Sequence, residues 1–320
     1  MERYCLYGMS LVSDLAFPQL VKETEEYRRQ HPDDWQIGIV KGKIPQDIRE
    51  RTDVKYEFGD DFSWLVNSTA WIIVENGKRI TYELKEGGRV DYLRSYLLGW
   101  GMSMLALQRG ILAIHCSAVA DEAGAILICG ESGAGKSTVT TAFLEKGYRL
   151  MADDMTFVEV TEDGIAMASP AFPYQKLCRD AALAKGYHME NMIYIDEEKD
   201  KFLVPYTRNF SLSPVPVRGM CMLGIVSGKQ VVSAKIKGMD QFHLVANNLF
   251  LRHLLGAKKY EPKIGQLCLK QTAFKSCVNG FNFQLFSKQR LIASLQIITY
   301  RRMFRIIPAR IFPVTRNGKA

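Results

Sequence analysis

Between positions 130 and 137 the chain reads Gly-Glu-Ser-Gly-Ala-Gly-Lys-Ser, which meets G-x-x-x-x-G-K-[ST] at every fixed position. Glycines at this spacing let backbone N–H groups turn inward around an anion, and a helix starting near Lys136 adds the positive end of its dipole. The flanks agree with this. "AILIC" before the motif reads as a buried strand, and 136–146 as a helix that Gly147, lacking a Cβ, is suited to stop. Strand, glycine loop and helix in this order imply an α/β fold. On this reading Gly130, Glu131, Ser132, Gly133, Ala134, Gly135, Lys136, Ser137 and Thr138 surround the phosphates of a nucleotide. Lys136 reaches the β- and γ-phosphates, and Ser137 ligates Mg²⁺.

The strand "YRLMA" follows, closed by Asp153 and Asp154, 16 and 17 residues after Ser137. A right-handed β-α-β unit opens both strand ends on one side of the sheet, within reach of one phosphate site. Adjacent residues at a strand end face opposite ways, so one carboxylate is free for a metal and the other for an incoming hydroxyl. Upstream, "ILAIHCSAVA" and "AILICG" flank the turn "DEAG". This predicts a hairpin in which Ala120 pairs with Ala125 and His115 lies across from Gly130. His115 is therefore a candidate to touch a phosphate oxygen or hold an aspartate, while a core histidine stays the alternative.

The 320 residues allow one large or two medium domains. Residues 1–90 read as a smaller β-rich domain, with a hairpin turn at Asn76-Gly77. Residues 91–320 form the second domain, entered through a helix over "DYLRSYLLGWGMSMLALQ" that Asp91 is placed to cap. "PAFPYQKLCRDAALAKG" and "DQFHLVANNLFLRHLLG" read as helices and "VPVRGMCMLGIVSG" as a buried strand. Seven cysteines show neither a C-x-x-C pair nor zinc-type spacing and read as reduced thiols. No apolar run approaches the roughly 18 residues of a membrane span, and the start lacks secretory-signal features, so the expected compartment is the cytoplasm.

The net charge of +8 has one source: after Glu261 there are eleven Lys or Arg and no Asp or Glu, leaving 31 basic against 34 acidic side chains before it. The tail "YRRMFRIIPARIFPVTR" suits an acidic peptide or nucleotide, or is a solvated helix face. With no RNA-binding signature or zinc finger beside it, nucleic acid is not an expected partner.

Taken together, "IHCSAVADEAGAILICGESGAGKSTVTTAFLEKGYRLMADD" resembles the HPr kinase/phosphorylase family, which joins a histidine, an early Walker A loop and a nearby Asp-Asp in this order. The resemblance is strong over 111–160 and fainter to about 230. The start "YGMSLVSDLAFPQL" and the length look more like HPr-kinase-like proteins found with peptide natural-product genes, including lasso-peptide precursor kinases. The resemblance implies a mixed sheet with flanking helices, ATP and Mg²⁺ as cofactors, and phosphorylation of a Ser/Thr hydroxyl on a precursor peptide. It also implies self-association. Carried onto these residues, it makes Asp154 the base, Asp153 and Ser137 metal ligands, Lys136 a phosphate ligand, and places His115 at the phosphates. The family's Glu-Ile-Arg-Gly, whose glutamate binds metal, reads Pro216-Val217-Arg218-Gly219 here. The rival readings are a nucleotide-responsive binding module without phosphoryl transfer and a kinase for a small hydroxyl compound such as serine.

Overall fold

Strand-forming runs with alternating burial dominate the chain. A computed structural model describes residues 1–30, 35–51, 54–183, 186–188, 190, 192–196, 200–225, 232–251, 261–270 and 272–278. In chain order the first part holds β1 (Glu2–Leu6), β2 (Met9–Ser13), β3 (Val21–Lys22), α1 (Glu25–Gln30), β4 (Gln36–Lys41) and α2 (Gln46–Arg49). It continues with β5 (Tyr56–Phe58), β6 (Phe62–Val66), β7 (Ala70–Glu75) and β8 (Arg79–Leu84). They form one eight-stranded sheet in the order β3-β1-β2-β4-β8-β7-β6-β5, mixed because β4 runs parallel to both β2 and β8. The turn expected at Asn76-Gly77 is present. Both residues have positive φ, and Lys78 N–H donates to the Glu75 carbonyl at 3.0 Å.

The helix expected after residue 90 forms, but it is not one regular helix. α3 (Val90–Tyr96) passes through a π-helical turn, Leu97–Gly101, into α4 (Met102–Arg109). Asp91 is not its cap. It lies inside the first turn, where its carboxylate accepts a hydrogen bond from Arg94 Nη1 at 2.8 Å, and Arg89 holds the cap position.

The second sheet is built from β9 (Leu112–Ile114), β10 (Ser117–Asp121), β11 (Gly124–Gly130), β12 (Arg149–Asp153), β13 (Thr156–Val160) and β14 (Ala166–Ser169), with α5 (Lys136–Leu144) between β11 and β12. Beyond these lie β15 (Tyr174–Cys178), α6 (Arg179–Leu183), β16 (Ile193–Asp196), β17 (Lys201–Pro205), β18 (Val215–Ile225), β19 (Val232–Ile236), α7 (Met239–Asn247), α8 (Glu261–Lys270) and β20 (Thr272–Val278). The path of the second sheet is β12-β10-β11-β18-β14-β13-β9, with β20 also on β18 and β19 on β20. β15, β17 and β16 form a separate three-stranded sheet. The β10–β11 hairpin has the expected register, Ala120 opposite Ala125. β10 also pairs antiparallel with β12, so β11 and β12 run the same way with one strand between them. Their carboxyl ends share an edge, about 9–10 Å apart.

Two expected helices are corrected. The stretch 170–186 contains β15 and only the short α6, because Pro170 and Pro173 resist helix and Gln175 and Leu177 alternate inward as on a strand. The helix expected over 240–256 is α7, which ends at Asn247; Leu249 then bridges to Ile114. Residues 252–260 and the basic tail fall outside the described residues.

One apolar cluster runs through both large sheets, from Tyr4, Leu11 and Ile72 to Ile114, Leu127 and Phe157. Tyr7, in the β1–β2 turn, joins them. Its ring stacks on Phe157 at 3.9 Å and its N–H donates to the Pro170 carbonyl at 2.9 Å. These contacts hold Tyr7 at φ 53, an outlying conformation for a bulky residue. Cys5, Cys116, Cys129, Cys178, Cys221 and Cys268 are free thiols. No described helix is long and apolar enough to cross a membrane.

Candidate active site

The glycine-rich segment leaves β11 at Gly130 and enters α5 at Lys136. Gly130 has φ 147, and a Cβ there would lie 2.7 Å from the Leu223 carbonyl oxygen on the neighbouring strand, so the turn requires glycine. Gly133 and Gly135 also have positive φ. Ala134 is buried and anchors the loop in the apolar cluster around Val139 and Phe143, while Glu131, Ser132, Gly133 and Thr138 are exposed. Lys136 folds back over the loop, and its Nζ donates to the carbonyls of Gly130 at 2.6 Å and Glu131 at 3.1 Å. Burial lowers its pKa, Lys201 adds to that, and Asp153 and Asp154 oppose it.

The two aspartates face different ways. Asp153 is 8% exposed and ends β12. Its Oδ1 accepts from the Ser117 hydroxyl on β10, and its Oδ2 from Lys176 N–H on β15 at 2.8 Å. Burial pushes its carboxyl up, the Ser117 and Lys176 hydrogen bonds pull it back, and the net shift is upward. Asp154 turns the other way. Its φ of 131 is strained for a residue with a side chain, and reciprocal backbone hydrogen bonds with Cys116, 3.1 and 3.2 Å, hold it there. Its Oδ2 accepts from Lys176 Nζ at 2.7 Å, and His115 Nδ1 lies 3.9 Å from its Oδ1. Burial pushes the Asp154 carboxyl up, but the Lys176 ammonium, with His115 and Lys201, holds it below its ordinary value.

His115 lies beyond the last residues of the hairpin ladder, which begins at Ser117 opposite Ile128. Its N–H donates to the Asn248 carbonyl at 2.7 Å and its ring meets Phe250 edge-on. Its side-chain partner is thus Asp154, and burial lowers its pKa despite that carboxylate.

Sequence reasoning missed Lys176. Reading 170–186 as a helix hid it, although the two prolines and the alternation of Gln175 and Leu177 were visible signals for a strand. Lys176 links the site: its carbonyl faces Ser137 Oγ at 3.5 Å, its N–H binds Asp153, and its ammonium binds Asp154. The structure therefore brings the glycine loop, both aspartates and His115 to one edge. Position 216 is not there. Val217 pairs with Ala125 and Leu223 with Gly130, so residue 216 lies roughly 20 Å along the strand from the loop. A glutamate at that position would not reach the site.

Ser137 and Asp153 offer hydroxyl and carboxylate oxygens, the hard donors that suit magnesium. Among the described residues there is no cluster of three or more His, Cys, Asp or Glu placed to hold a metal. Mg²⁺ is usually bound by one or two carboxylates together with substrate phosphates and water.

No family model matches the chain. No curated protein matches it. Among solved structures it is similar to the HPr(Ser) kinase/phosphatase from Coxiella burnetii, with 14% identity and a TM-score of 0.30, over 58% of this chain and 98% of that one. At that distance the likeness assigns no residue a role.

Proposed function

We propose that the chain is an ATP-dependent kinase that transfers the γ-phosphoryl group to a serine or threonine hydroxyl, of the HPr-kinase-like kind that the sequence over 111–160 resembles. The observation that carries this reading is Lys176, which ties Ser137 of the glycine loop to both carboxylates through three atoms of one residue. A phosphate-binding loop and an acceptor-orienting acid must stand side by side for such a transfer, and here one strand connects them. The loop amides and Lys136 bind and orient the donor's phosphates. Ser137 and Asp153 would hold Mg²⁺, which supplies neutralisation of charge on the transferring group. Asp154, kept ionised by Lys176, orients the acceptor hydroxyl and takes its proton as the new oxygen–phosphorus bond forms and ADP leaves. Lys176 and Lys136 present positive charge to the phosphoryl oxygens, the kind of stabilisation on which this reaction mainly depends.

The acceptor within this reading is a residue of a short peptide, supported by the likeness of the N-terminal stretch to precursor-peptide kinases. One observation favours a second reading: the Lys176–Asp154 ion pair weakens Asp154 as a base, as suits a nucleotide-responsive binding module. Two assays decide between them. ATP affinity is measured by titration on the wild type and Lys136→Ala, and the kinase reading expects at least tenfold weaker binding for the variant. A panel of serine and threonine peptides is then incubated with ATP and Mg²⁺ and read by mass spectrometry. Tight ATP binding with no phosphorylated product would select the binding module; no ATP binding at all would sink both.

A further inference from the structure

The small sheet of β15, β17 and β16 has two faces of different character. Leu177, Phe202 and Val204 pack on one side with Ala182 of α6 in an apolar cluster. Lys176 pairs with Leu203 and Cys178 with Lys201, so strand alternation puts Lys176, Cys178, Lys201 and Leu203 together on the other side. That side meets the site. Lys176 and Leu203 line the cavity beside Asp153 and Asp154, to which Tyr7 contributes from the first sheet. Lys201 is thus the diagonal neighbour of Lys176 on the face turned to the carboxylates. The turn that delivers it is fixed. Arg179 N–H donates to the Asp200 carbonyl at 3.1 Å, and the Arg179 guanidinium binds the Asp200 carboxylate through Nε at 2.6 Å and Nη2 at 2.8 Å. Bidentate pairing of this kind adds geometric definition, so β17 starts from a defined place.

No sequence motif marks Lys201, yet its charge is felt at both ends of the site. After burial, it is what most lowers the Lys136 pKa. Burial raises the Asp154 carboxyl, and Lys201 joins Lys176 and His115 in holding it down. Lys136, Lys176 and Lys201 therefore converge on an edge whose carboxylates are Asp153 and Asp154. Ammonium groups gathered around a phosphate loop call for an anion between them.

We infer that Lys201 is a ligand of the nucleotide's terminal phosphoryl group, and that β15 and β17 form the second jaw of a phosphate clamp whose first jaw is the glycine loop. The inference rests on the kinase reading and adds to it the residue that distinguishes a triphosphate from a diphosphate. The loop amides and Lys136 hold the row of phosphates from the end of β11 and the start of α5. Lys176 and Lys201 come from a separate sheet and meet only the terminal group, the one that lies next to Asp154. Lysine suits this position, because a compact charge on a flexible stem can follow the phosphoryl oxygens from donor to acceptor.

ADP and the non-hydrolysable triphosphate AMP-PNP are titrated with Mg²⁺ into the full chain by calorimetry. Wild type binds AMP-PNP about tenfold tighter than ADP or more, the size of one charge-assisted hydrogen bond. Lys201→Met brings the two affinities within about threefold of each other and leaves ADP affinity and the melting temperature unchanged. Lys201→Gln, of similar length and polar, gives the same collapse, so the outcome does not hang on the folding of one variant. Lys201→Arg keeps the charge and retains most of the preference. A merely structural Lys201 would weaken both nucleotides together and leave their ratio as it was. A full triphosphate preference in Lys201→Met and Lys201→Gln, or a wild type that binds ADP and AMP-PNP alike, overturns the assignment, while the kinase reading still stands on phosphate appearing in an acceptor. A wild type that binds neither nucleotide overturns both.

Discussion

Asp154 carries the largest share of the proposed chemistry and sits in the least comfortable backbone conformation of the site. A φ of 131 on a residue with a side chain costs on the order of 1–3 kcal/mol. That strain aims its carboxylate at Lys176 and His115 while Asp153, one residue earlier, faces Ser117. The two carboxylates face apart as expected, but through the φ of Asp154, which lies just past the end of β12, and not through strand alternation; the cation between them was not legible, because Lys176 is distant in sequence and carries no motif. Lys176→Met tests its weight. Removing it takes away the one ammonium hydrogen-bonded to Asp154 and leaves His115 and the more distant Lys201, and stability falls by about 1–2 kcal/mol in urea unfolding at pH 7. Transfer falls at least tenfold in kcat/KM. Unchanged turnover would show that the ammonium only balances charge.

Three elements position the site, and they differ in how plainly the sequence announces them. The β10–β11 hairpin was legible to the residue, because a short turn between two apolar runs leaves little freedom of register. The interruption of the helix after residue 90 was not, since its apolar residues keep helical spacing through Leu97–Gly101 and a one-residue bulge leaves the pattern almost intact. β15 was misread because leucine, alanine and charged residues downstream outweighed the prolines. In the first sheet, β8 presents Glu83 to two donors, Ile44 N–H at 2.8 Å and Arg49. Burial pushes its carboxyl up, and those donors bring it below the ordinary 4.5. A lowered folded pKa means that this stabilisation is complete above 4.5 and is lost as the pH falls through the folded value. Glu83→Gln accordingly costs about 1–2 kcal/mol at pH 7 and progressively less as the pH falls below 4.5, read from urea midpoints at pH 7 and at a pH below 4.5. A loss of equal size at both pH values would assign the effect to packing instead.

Across the molecule, the shared core is what lets N-terminal residues line a cavity at the carboxylates. Tyr7 belongs to a hairpin of the first sheet, yet stacks on Phe157 of the second. Sequence patterns are local and show each sheet's strands, while this contact joins positions 150 apart, which no periodicity reveals. If the two sheets share a core they unfold together. Trp64 and Trp71 lie in strands of the first sheet and Trp35 just before one, with only Trp100 on the helix that follows, so tryptophan fluorescence mainly follows the first sheet, and amide exchange in β10 and β11 follows the second. Coincident transitions are expected, and Tyr7→Ala lowers both by about 3–5 kcal/mol; two separated transitions would contradict a common core. The proposed phosphoryl transfer needs this joined structure to bring a phosphate loop and an acceptor-orienting carboxylate together. Its most direct test uses γ-labelled ATP with Mg²⁺ and a serine peptide, comparing wild type with Asp154→Asn. Label is expected in the peptide with the wild type, at least a hundredfold less with the variant, and ATP affinity equal within a factor of about three. Label transferred at the same rate by Asp154→Asn would contradict it.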